Sequence, residues 1–468
     1  MDALTSLAPW LLAGVVVAPG ALFVVMGLLW LAGGTLSERA IGWLGALMSG
    51  AMLLALAAVW WVALAAGWAG LHVDLGHWFA VGAYEFPVRL VADGLSLPLV
   101  TLTVLLAGVI GHFSHTYLHR EKGFYRFFTL LHLFTCGALV VFTAGSLDLL
   151  VAGWELVGLT SVLLIAFFHE RPEPVEGGLR VFGVYRASDL GLLVAVFLLH
   201  HWAGTSMIGD TAPALTAAQA TLVSLLLLLA AAGKSAQVPF SGWLPRAMEG
   251  PTPSSAIFYG AISVQLGAYL LLRLQPLLAT SRIATVATVI VGLLTAVHGT
   301  LAGRAAADAK TSLAHAALTQ VGLVFVEIGL GFTGFAVLHM TGHALVRTLQ
   351  FLRAPSMLHD HHQMHAAVGG HLTATGGHFE RLLPEPVQWW AYRLAVDRSH
   401  LDTLIDRLVI EPLHALSVWL GRIDEWTSRP PGVPADLRAA SYRPPGAATA
   451  GGRADLTARL TTREGLDG

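Results

Sequence analysis

Long apolar runs constrain the fold of this chain more than any other feature. A helix needs about 20 consecutive apolar residues to cross the hydrocarbon core of a bilayer, and eleven stretches reach that length. They lie near residues 9–32, 41–67, 94–117, 125–144, 147–168, 178–202, 217–238, 254–275, 283–303, 312–332 and 334–353. The sequence therefore predicts an all-α polytopic membrane protein with about eleven transmembrane helices.

Composition narrows the classes of function. Only 12% of the residues are charged, whereas a soluble globular protein carries about 25%. The net charge of −2 gives no reason to expect a nucleic-acid partner. Cys136 is the only cysteine, which excludes an internal disulfide and a cysteine metal cluster. The first run is longer than a signal-peptide core, so we expect a true span there.

The remaining segments suggest how the chain is organised. We expect six parts, which are N-terminal transmembrane helices at 1–67, an extramembrane hairpin or irregular loop at 68–93, a transmembrane core at 94–354, a His-rich cytoplasmic loop at 355–385, an amphipathic helix region at 386–428 and a disordered tail at 429–468. Six histidines lie within 359–378, where either a solvated loop or a metal site fits the pattern. Without a carboxylate or cysteine framework there, we predict no metal site.

Basic residues predict the orientation of the chain, because cytoplasmic loops carry an excess of Lys and Arg. One side holds Arg39, Arg120, Lys122, Arg126, Arg171, Arg180, Arg246, Arg304, Lys310 and Arg353. The opposite loops hold little beyond Arg89 and Arg282. This asymmetry predicts a multi-pass protein of the bacterial inner membrane with its N-terminus outside and its C-terminus in the cytoplasm.

Glu155 and Lys234 each stand alone in an otherwise apolar run. A charge in the bilayer interior costs about 2.5–3.5 kcal/mol, so such residues are by default functional. A lysine beside a carboxylate keeps its proton, and it releases the proton when the carboxylate is neutralised. We therefore expect these two residues, on separate helices, to form a pair that hands protons onward.

The segment 233–239, Gly-Lys-Ser-Ala-Gln-Val-Pro, interrupts the seventh run, and Gly-Pro-Thr-Pro follows at 250–253. This pattern predicts a discontinuous helix near 234–250. Such backbone is tolerated in a membrane only where it lines protein or a water-filled cavity.

Further ionisable residues lie in the other runs. Arg186 and Asp189 are three residues apart, so they share a helix face and can pair. The additional candidates for proton transfer are Lys310, His315, Glu327, His339 and His343, with Arg347 on the same face as the last two. A lone membrane histidine such as His132, His298 or His339 can equally serve only as a hydrogen-bonding group.

These motifs resemble the antiporter-like subunits of respiratory complex I, most closely the L-type (mitochondrial subunit 5) branch. That branch includes the large subunit of multi-subunit cation/proton antiporters and the membrane subunit of an energy-coupled inorganic carbon pump. The matching motifs are 153–159, 186–189, 233–239, 243–245, 250–256, 308–310 and 319–322, within a resemblance that covers roughly residues 85–355.

The resemblance implies roles for individual residues. It implies that Glu155 and Lys234 load a proton half-channel, that Arg186 and Asp189 modulate them, and that the two histidines of run eleven belong to a central polar axis. The chain departs from the family at Tyr259, where a histidine is usual, and at Arg347, where many relatives have lysine. Both residues would line the path, but neither readily stores and releases a proton.

Another departure concerns the C-terminal part. The segment at 400–412 resembles the family segment that follows several late helices, one with an exit lysine, yet it arrives about fifty residues after run eleven. We therefore expect a shortened L-like subunit without those helices or the lateral arm.

The sequence leaves the assembly open. The favoured hypothesis is a proton- or sodium-conducting subunit that works with other membrane subunits and a soluble cytoplasmic subunit. The soluble partner would be either zinc-containing and carbonic-anhydrase-like, for inorganic carbon uptake, or a redox subunit. We find no cofactor motif in this chain, so zinc or redox centres would lie in a partner. The alternative is a structural scaffold with a degraded ion path.

Overall fold

The computed structural model describes residues 2–68, 70–82, 84–306, 308–368 and 384–427, without the side chains of 355–368 and of a few single residues such as Tyr259. The helices of the first four ranges are α1 (Asp2–Leu31), α2 (Glu38–Ala65), α3 (Ser96–Tyr117), α4 (Phe124–Thr143), α5 (Leu147–Ile165), α6 (Pro172–Ala203), α7 (Ala217–Lys234), α8 (Trp243–Arg246), α9 (Thr252–Ser255), α10 (Gln265–Arg273), α11 (Gln275–Leu278), α12 (Arg282–Arg304), α13 (Ala309–Gly329) and α14 (Thr333–Val368). Within the described residues, nine helices are long and apolar enough to cross a membrane. The prediction of an all-α polytopic membrane protein is confirmed.

Two of the eleven predicted runs are not among those nine helices. The eighth run is divided into α9, a π-helical segment at Ala256–Ala261, and α10. Such π-helical turns are frequent at functional sites. The eleventh run lies inside the longer helix α14, which carries His339, His343 and Arg347.

The predicted break after the seventh run is present. Helix α7 ends at Lys234, Ala236 takes a φ of 52°, and short helical turns follow at Phe240–Gly242, Trp243–Arg246 and Ala247–Glu249. Proline has no backbone N–H, and its ring crowds the preceding turn of a helix, so the prolines of this stretch favour several short turns. At Gly233, a Cβ atom would collide with Ser188, which shows how closely α7 approaches α6.

Residues 71–92 form a two-stranded antiparallel hairpin of β1 (Leu71–Val81) and β2 (Tyr84–Ala92). Asp74 and Arg89 pair across it at 2.9 Å. At its end, Asp93 pairs with Arg273 of α10. Burial opposes ionisation of Asp93, but Arg273 and two backbone N–H groups outweigh it and hold the pKa of this carboxyl below its ordinary value. The hairpin is thereby fixed to the helix bundle.

The structure differs from the loop predicted at 355–385 over residues 355–368. The backbone of α14 stays helical to Val368, and 369–383 lie outside the described residues. The loop was inferred from polarity, but polar residues do not end a helix, and the first glycines after Pro355 are Gly369 and Gly370. The histidine side chains of this stretch, and the tail after residue 427, also lie outside the description.

The predicted amphipathic region comprises several helices. Helix Glu385–Val396 is followed by Leu401–Ile405 and a π-helical turn at Asp406–Ile410. Part of this region packs into the bundle rather than lying on a surface, because Ile405 is 5% exposed and belongs to the hydrophobic core. Helix Glu411–Thr427 belongs to a separate compact unit and exposes Trp419 and Trp426.

Candidate functional site

Lys234, the last residue of α7, is completely buried. Its Nζ donates a hydrogen bond of 3.0 Å to the backbone carbonyl of Trp154. The same atom lies 4.8 Å from the ring centroid of Trp154 and 4.3 Å from that of Tyr185. The ammonium is thus held by one carbonyl dipole and by aromatic faces, which attract a cation through their quadrupole.

A chain of hydrogen bonds leads from Trp154 to the surface of the bundle. Trp154 Nε1 donates to Asp189 Oδ1 at 2.6 Å. Arg186 Nη2 contacts Asp189 Oδ2 at 2.8 Å and Glu155 Oε2 at 2.5 Å. The group that we call the Lys234 cluster comprises Trp154, Glu155, Tyr185, Arg186, Asp189 and Lys234.

The direct ion-pair partner of Glu155 is Arg186, not Lys234. Among the described residues, no carboxylate forms an ion pair with Lys234, since both carboxylates of the cluster are bound by Arg186. The reason is steric as well as electrostatic. A guanidinium offers several N–H donors and can hold two carboxylates at once, whereas the lysine is enclosed by the Trp154 and Tyr185 rings. The expected contact between Arg186 and Asp189 is present.

Burial increases along this chain of contacts. The Glu155 side chain is 34% exposed and that of Arg186 is 35% exposed, but Asp189 is only 3% exposed and Lys234 is fully enclosed. Glu155 lies near the middle of α5, and Arg186 lies near the middle of α6. The exposed end of the cluster therefore lies midway along two helices that are long and apolar enough to span a membrane, beside exposed apolar side chains such as Leu159 and Phe182.

A second set of polar and titratable groups lies on α10, α12, α13 and α14. The group that we call the histidine row comprises His298, His315, His339, His343, Gln265, Gln320 and Glu327. His339 is its best-connected member. Its Nδ1 lies 2.7 Å from Glu327 Oε1, and its Nε2 lies 2.9 Å from Gln320 Oε1. Since both partner atoms are acceptors, this arrangement suits a ring that carries both protons.

His343 lies on the same face of α14 but has a different partner. Its Nδ1 lies 2.9 Å from Gln265 Nε2 of α10. Arg347, one turn further along, donates to Gln350 Oε1 at 2.7 Å. The side chain of Tyr259 lies outside the described residues. The two histidines of α14 are thus directed to different neighbouring helices.

His298 and His315 form the other end of the histidine row. Their ring centroids are 6.2 Å apart, and His298 Nδ1 lies 3.1 Å from Ser399 Oγ. Lys310 is half-buried near the start of α13, five residues before His315. These residues lie at the opposite end of α13 from Glu327.

Polar groups of the broken eighth helix lie between the Lys234 cluster and the histidine row. Ser235 Oγ, next to Lys234, donates to Val264 O at 2.6 Å, and Gln265 reaches His343. In the described part of the chain, buried atoms of this region without a hydrogen-bond partner include Gln237 Oε1, Ser255 Oγ, Gln265 Oε1, His343 Nε2 and Thr348 Oγ1. Buried polar atoms normally have partners, and ordered water commonly provides them.

Sequence reasoning missed Trp154, Tyr185, Gln265 and Gln320 as site residues. Trp154 and Gln320 belong to matched motifs, so the motifs contained a signal that charge alone did not reveal. The contact of Gln265 with His343 depends on the break of the eighth helix and could not be predicted from periodicity. Within the described ranges, no three His, Cys, Asp or Glu side chains come together in a way that could hold a metal ion.

Comparison with known proteins identifies the family. Residues 144–372 match the family model described as "NADH:quinone oxidoreductase/Mrp antiporter, TM". Residues 78–128 match the model of the N-terminus of chain 5 of NADH-ubiquinone oxidoreductase (complex I). The Lys234 cluster and the whole histidine row fall within the first match.

Curated relatives include NADH-quinone oxidoreductase subunit L of Mycobacterium tuberculosis, which is 37% identical over 63% of this chain and 47% of its own length. The subunit L of Escherichia coli strain K12 is 36% identical over 60% of this chain and 47% of its own length. The chain thus spans about half the length of these relatives.

A solved structure shows the same fold. The structure of the Mrp complex from Dietzia sp. DQ12-45-1b contains a chain that is 28% identical to this one, with a TM-score of 0.63, covering 74% of this chain and 37% of that chain. The family models, the relatives and this structure agree with one another, and the chain belongs to the antiporter-like family of L-type membrane subunits.

Proposed function

We propose that this chain is a proton-translocating subunit of a multi-subunit, energy-coupled membrane complex. The observation that carries the proposal is the Lys234 cluster, which joins a partly exposed carboxylate to a fully buried ammonium through Arg186 and Asp189. A structural span has no need of four ionisable groups, two partly exposed and two buried, since each of them is costly in a membrane.

The contacts suggest how one proton drives another. With Glu155 ionised, Arg186 is shared between two carboxylates. When a proton binds Glu155, that residue becomes neutral, and the positive charge of Arg186 then pairs with Asp189 only. Asp189 then stabilises the nearby ammonium of Lys234 less, and Lys234 releases a proton from Nζ to a neighbouring acceptor. Arg186 keeps its own proton throughout, so it transmits charge without carrying a proton.

The released proton would continue through the polar groups of the broken eighth helix to the histidine row. Unpartnered atoms of Gln237, Ser255 and Gln265 would bind the water molecules that such a transfer needs. His343, His339 and Glu327 then lead toward the turn between α13 and α14, while His315 and Lys310 lead toward the other end of α13. We assign proton transfer to these residues, and sodium is the alternative ion.

The exposed end of the Lys234 cluster requires a membrane partner. An ion pair of Glu155 and Arg186 facing lipid at mid-depth would be unfavourable. Another membrane subunit that covers this surface would supply or receive the proton. We place any redox or zinc centre in a further, soluble subunit, and we place the complex in the bacterial inner membrane with the N-terminus of this chain outside.

Proton flux tests this proposal. The complex would be purified through a tag on this chain and reconstituted in liposomes that contain a pH-sensitive dye. The Lys234→Ala variant should lose coupled proton flux yet insert and assemble normally. Lys122→Gln, in a loop between α3 and α4, is the matched removal of a lysine and should keep native flux.

Native flux in Lys234→Ala would contradict the proposal. A second candidate, a scaffold with a degraded path, is favoured by the fixed charge of Arg347 beside the row. The scaffold hypothesis predicts that the native complex is active. It also predicts that neither Lys234→Ala nor removal of the His343 imidazole changes the rate of that complex.

The composition of the purified complex decides the assembly. Mass spectrometry and metal analysis would identify what co-purifies in mild detergent. A large soluble zinc subunit would place the chain in inorganic carbon uptake. Iron–sulfur and quinone-binding subunits would indicate a redox pump, and small membrane subunits alone would indicate a cation antiporter.

A further inference from the structure

A cavity of about 340 Å³ lies between α2, α3 and α4, away from the Lys234 cluster and the histidine row. This volume is within the range of about 300–1,000 Å³ that is typical of small-molecule sites. Its walls include Met48 and Met52 of α2, Val104 of α3 and Leu131 of α4. The cavity extends along α2 from Arg39 to Met52, which is about 20 Å of helix. It is thus a long apolar shaft that follows the membrane-spanning helices.

Basic groups occupy one end of the shaft. Arg39, His112 and His115 line the cavity where α2 begins and α3 ends. Arg39 and His112 are exposed. The adjacent carboxylate, Glu38, is bound by His119 Nδ1 at 2.6 Å and by the backbone N–H of Arg120 at 3.1 Å. Among the described residues, Arg39 has no ion-pair partner, so its charge is available at the mouth of the shaft.

His132 supplies a polar group inside the shaft. It is 5% exposed, lines the cavity, and its Nε2 has no hydrogen-bond partner in the described part of the chain. It faces Gly45, six residues and about 9 Å of helix from Arg39. A buried polar atom is costly when it has no partner, so a ligand with an acceptor or donor at this depth would stabilise the site.

The order of these groups matches one class of molecule. An anionic phospholipid carries a phosphate at the membrane surface, ester carbonyls just beneath it, and an acyl chain that runs toward the membrane centre. The phosphate would contact Arg39 and the two surface histidines. An ester carbonyl would accept a hydrogen bond from His132, and the acyl chain would fill the apolar shaft. We propose that this cavity is a binding site for one anionic phospholipid of the leaflet on the side of the basic loops.

Glycines keep the shaft open. A Cβ on Gly45 would only touch His132 at 3.9 Å, and one on Gly111 would touch Leu131 at 3.8 Å. These are ordinary van der Waals distances, so the backbone tolerates a side chain at either position. Gly45→Leu would therefore occupy the shaft without forcing the helices apart, and Arg39→Gln would remove the cation at its mouth.

Retention of lipid tests the proposal. The full chain would be reconstituted in nanodiscs of phosphatidylcholine with one-fifth phosphatidylglycerol, transferred to detergent, and examined by native mass spectrometry. The native chain should retain one phosphatidylglycerol, and Arg39→Gln and Gly45→Leu should each retain at least several-fold less. The control Lys122→Gln removes a lysine from the loop between α3 and α4 and should retain the native amount.

Photolabelling tests the proposal on the native chain, so it does not depend on whether a variant folds. A phosphatidylglycerol with a photoreactive acyl chain should label peptides of α2, α3 and α4 in the native chain. Labelling confined to other helices, or equal retention of phosphatidylcholine, would overturn the proposal. If labelling occurs only in the isolated chain and disappears in the whole complex, the shaft holds a partner helix, and the lipid assignment is wrong.

Discussion

The Lys234 cluster and the histidine row both place titratable groups inside the bundle, but they are built differently. In the Lys234 cluster, hydrogen bonds and ion pairs of 2.5–3.0 Å link Glu155 to the carbonyl beside Lys234. In the histidine row, hydrogen bonds form separate groups, in which His339 contacts Glu327 and Gln320 while His343 contacts Gln265. Both regions also contain buried atoms without a partner among the described residues, such as Arg186 Nε and His343 Nε2.

This difference separates two ways of moving charge. A continuous set of contacts responds as a unit, because a change at Glu155 alters the field at Lys234 through Arg186. A row of separate contacts needs intervening molecules, and each step can be slowed without stopping the others. We therefore expect large, all-or-none effects of substitutions in the Lys234 cluster and smaller, graded effects in the histidine row.

The substitution Lys234→Arg should have the largest effect and is the sharpest test of this contrast. It keeps a positive charge, but arginine does not release its proton at physiological pH. If Lys234 must lose its proton, flux should fall as far as it does in Lys234→Ala. Initial rates of dye response in liposomes would measure this. Native flux in Lys234→Arg would mean that the residue only supplies a fixed charge.

Removing the shared guanidinium should have the next largest effect. In Arg186→Gln, both Glu155 and Asp189 lose a charge-assisted hydrogen bond worth about 1.5–3 kcal/mol. Flux should fall about tenfold or more, since 1.4 kcal/mol is about a factor of ten. Arg186→Lys retains charge but cannot hold both carboxylates in the same geometry, so it should restore only part of the rate. Full flux in Arg186→Gln would show that the two carboxylates act independently.

Some of this contrast could be predicted from the sequence, and some could not. Hydropathy was sufficient to predict the membrane bundle, and the Gly and Pro residues at 233–253 were sufficient to predict the break after Lys234. The functional role of Glu155 stays a prediction. The sequence could not show that Arg186 binds Glu155 as well as Asp189, because that depends on how α5 and α6 pack. The helical backbone after Pro355 and the division of the eighth run also escaped prediction, since local polarity does not determine where a helix ends.

Substitutions in the histidine row should produce graded losses. His339 contacts two acceptors, so rotation of the Gln320 amide would exchange an acceptor for a donor and suit a ring with one proton less. Gln320→Leu removes both options and should slow flux about two- to tenfold, the range that corresponds to one hydrogen bond. Gln320→Glu offers only hydrogen-bond acceptors when it is ionised, so it should slow the release of a proton from His339. A double-mutant cycle with His339→Gln would measure the coupling, and strictly additive effects would contradict this account.

The smallest effect on flux should come from a contact outside both regions. Asp402 lies 3.0 Å from Arg246 and 3.7 Å from Arg180, and Asp406 also pairs with Arg180, which is largely buried. These contacts fix the segment whose Ser399 reaches His298, the end of the histidine row. Asp402→Asn weakens charge-assisted bonds worth about 1.5–3 kcal/mol, so the thermal midpoint in detergent should fall. Because no member of the Lys234 cluster is touched, flux per folded complex should stay close to native.

Glu385→Gln provides the control for that experiment. Glu385 is exposed on the helix that precedes the segment, and its loss should leave the midpoint unchanged. If Asp402→Asn instead stops flux while the midpoint holds, the segment around Ser399 belongs to the proton path, and the histidine row extends beyond His298. That result would make the row, like the Lys234 cluster, a set of groups whose protons depend on fixed charges around them, and the contrast between the two regions would then be one of degree.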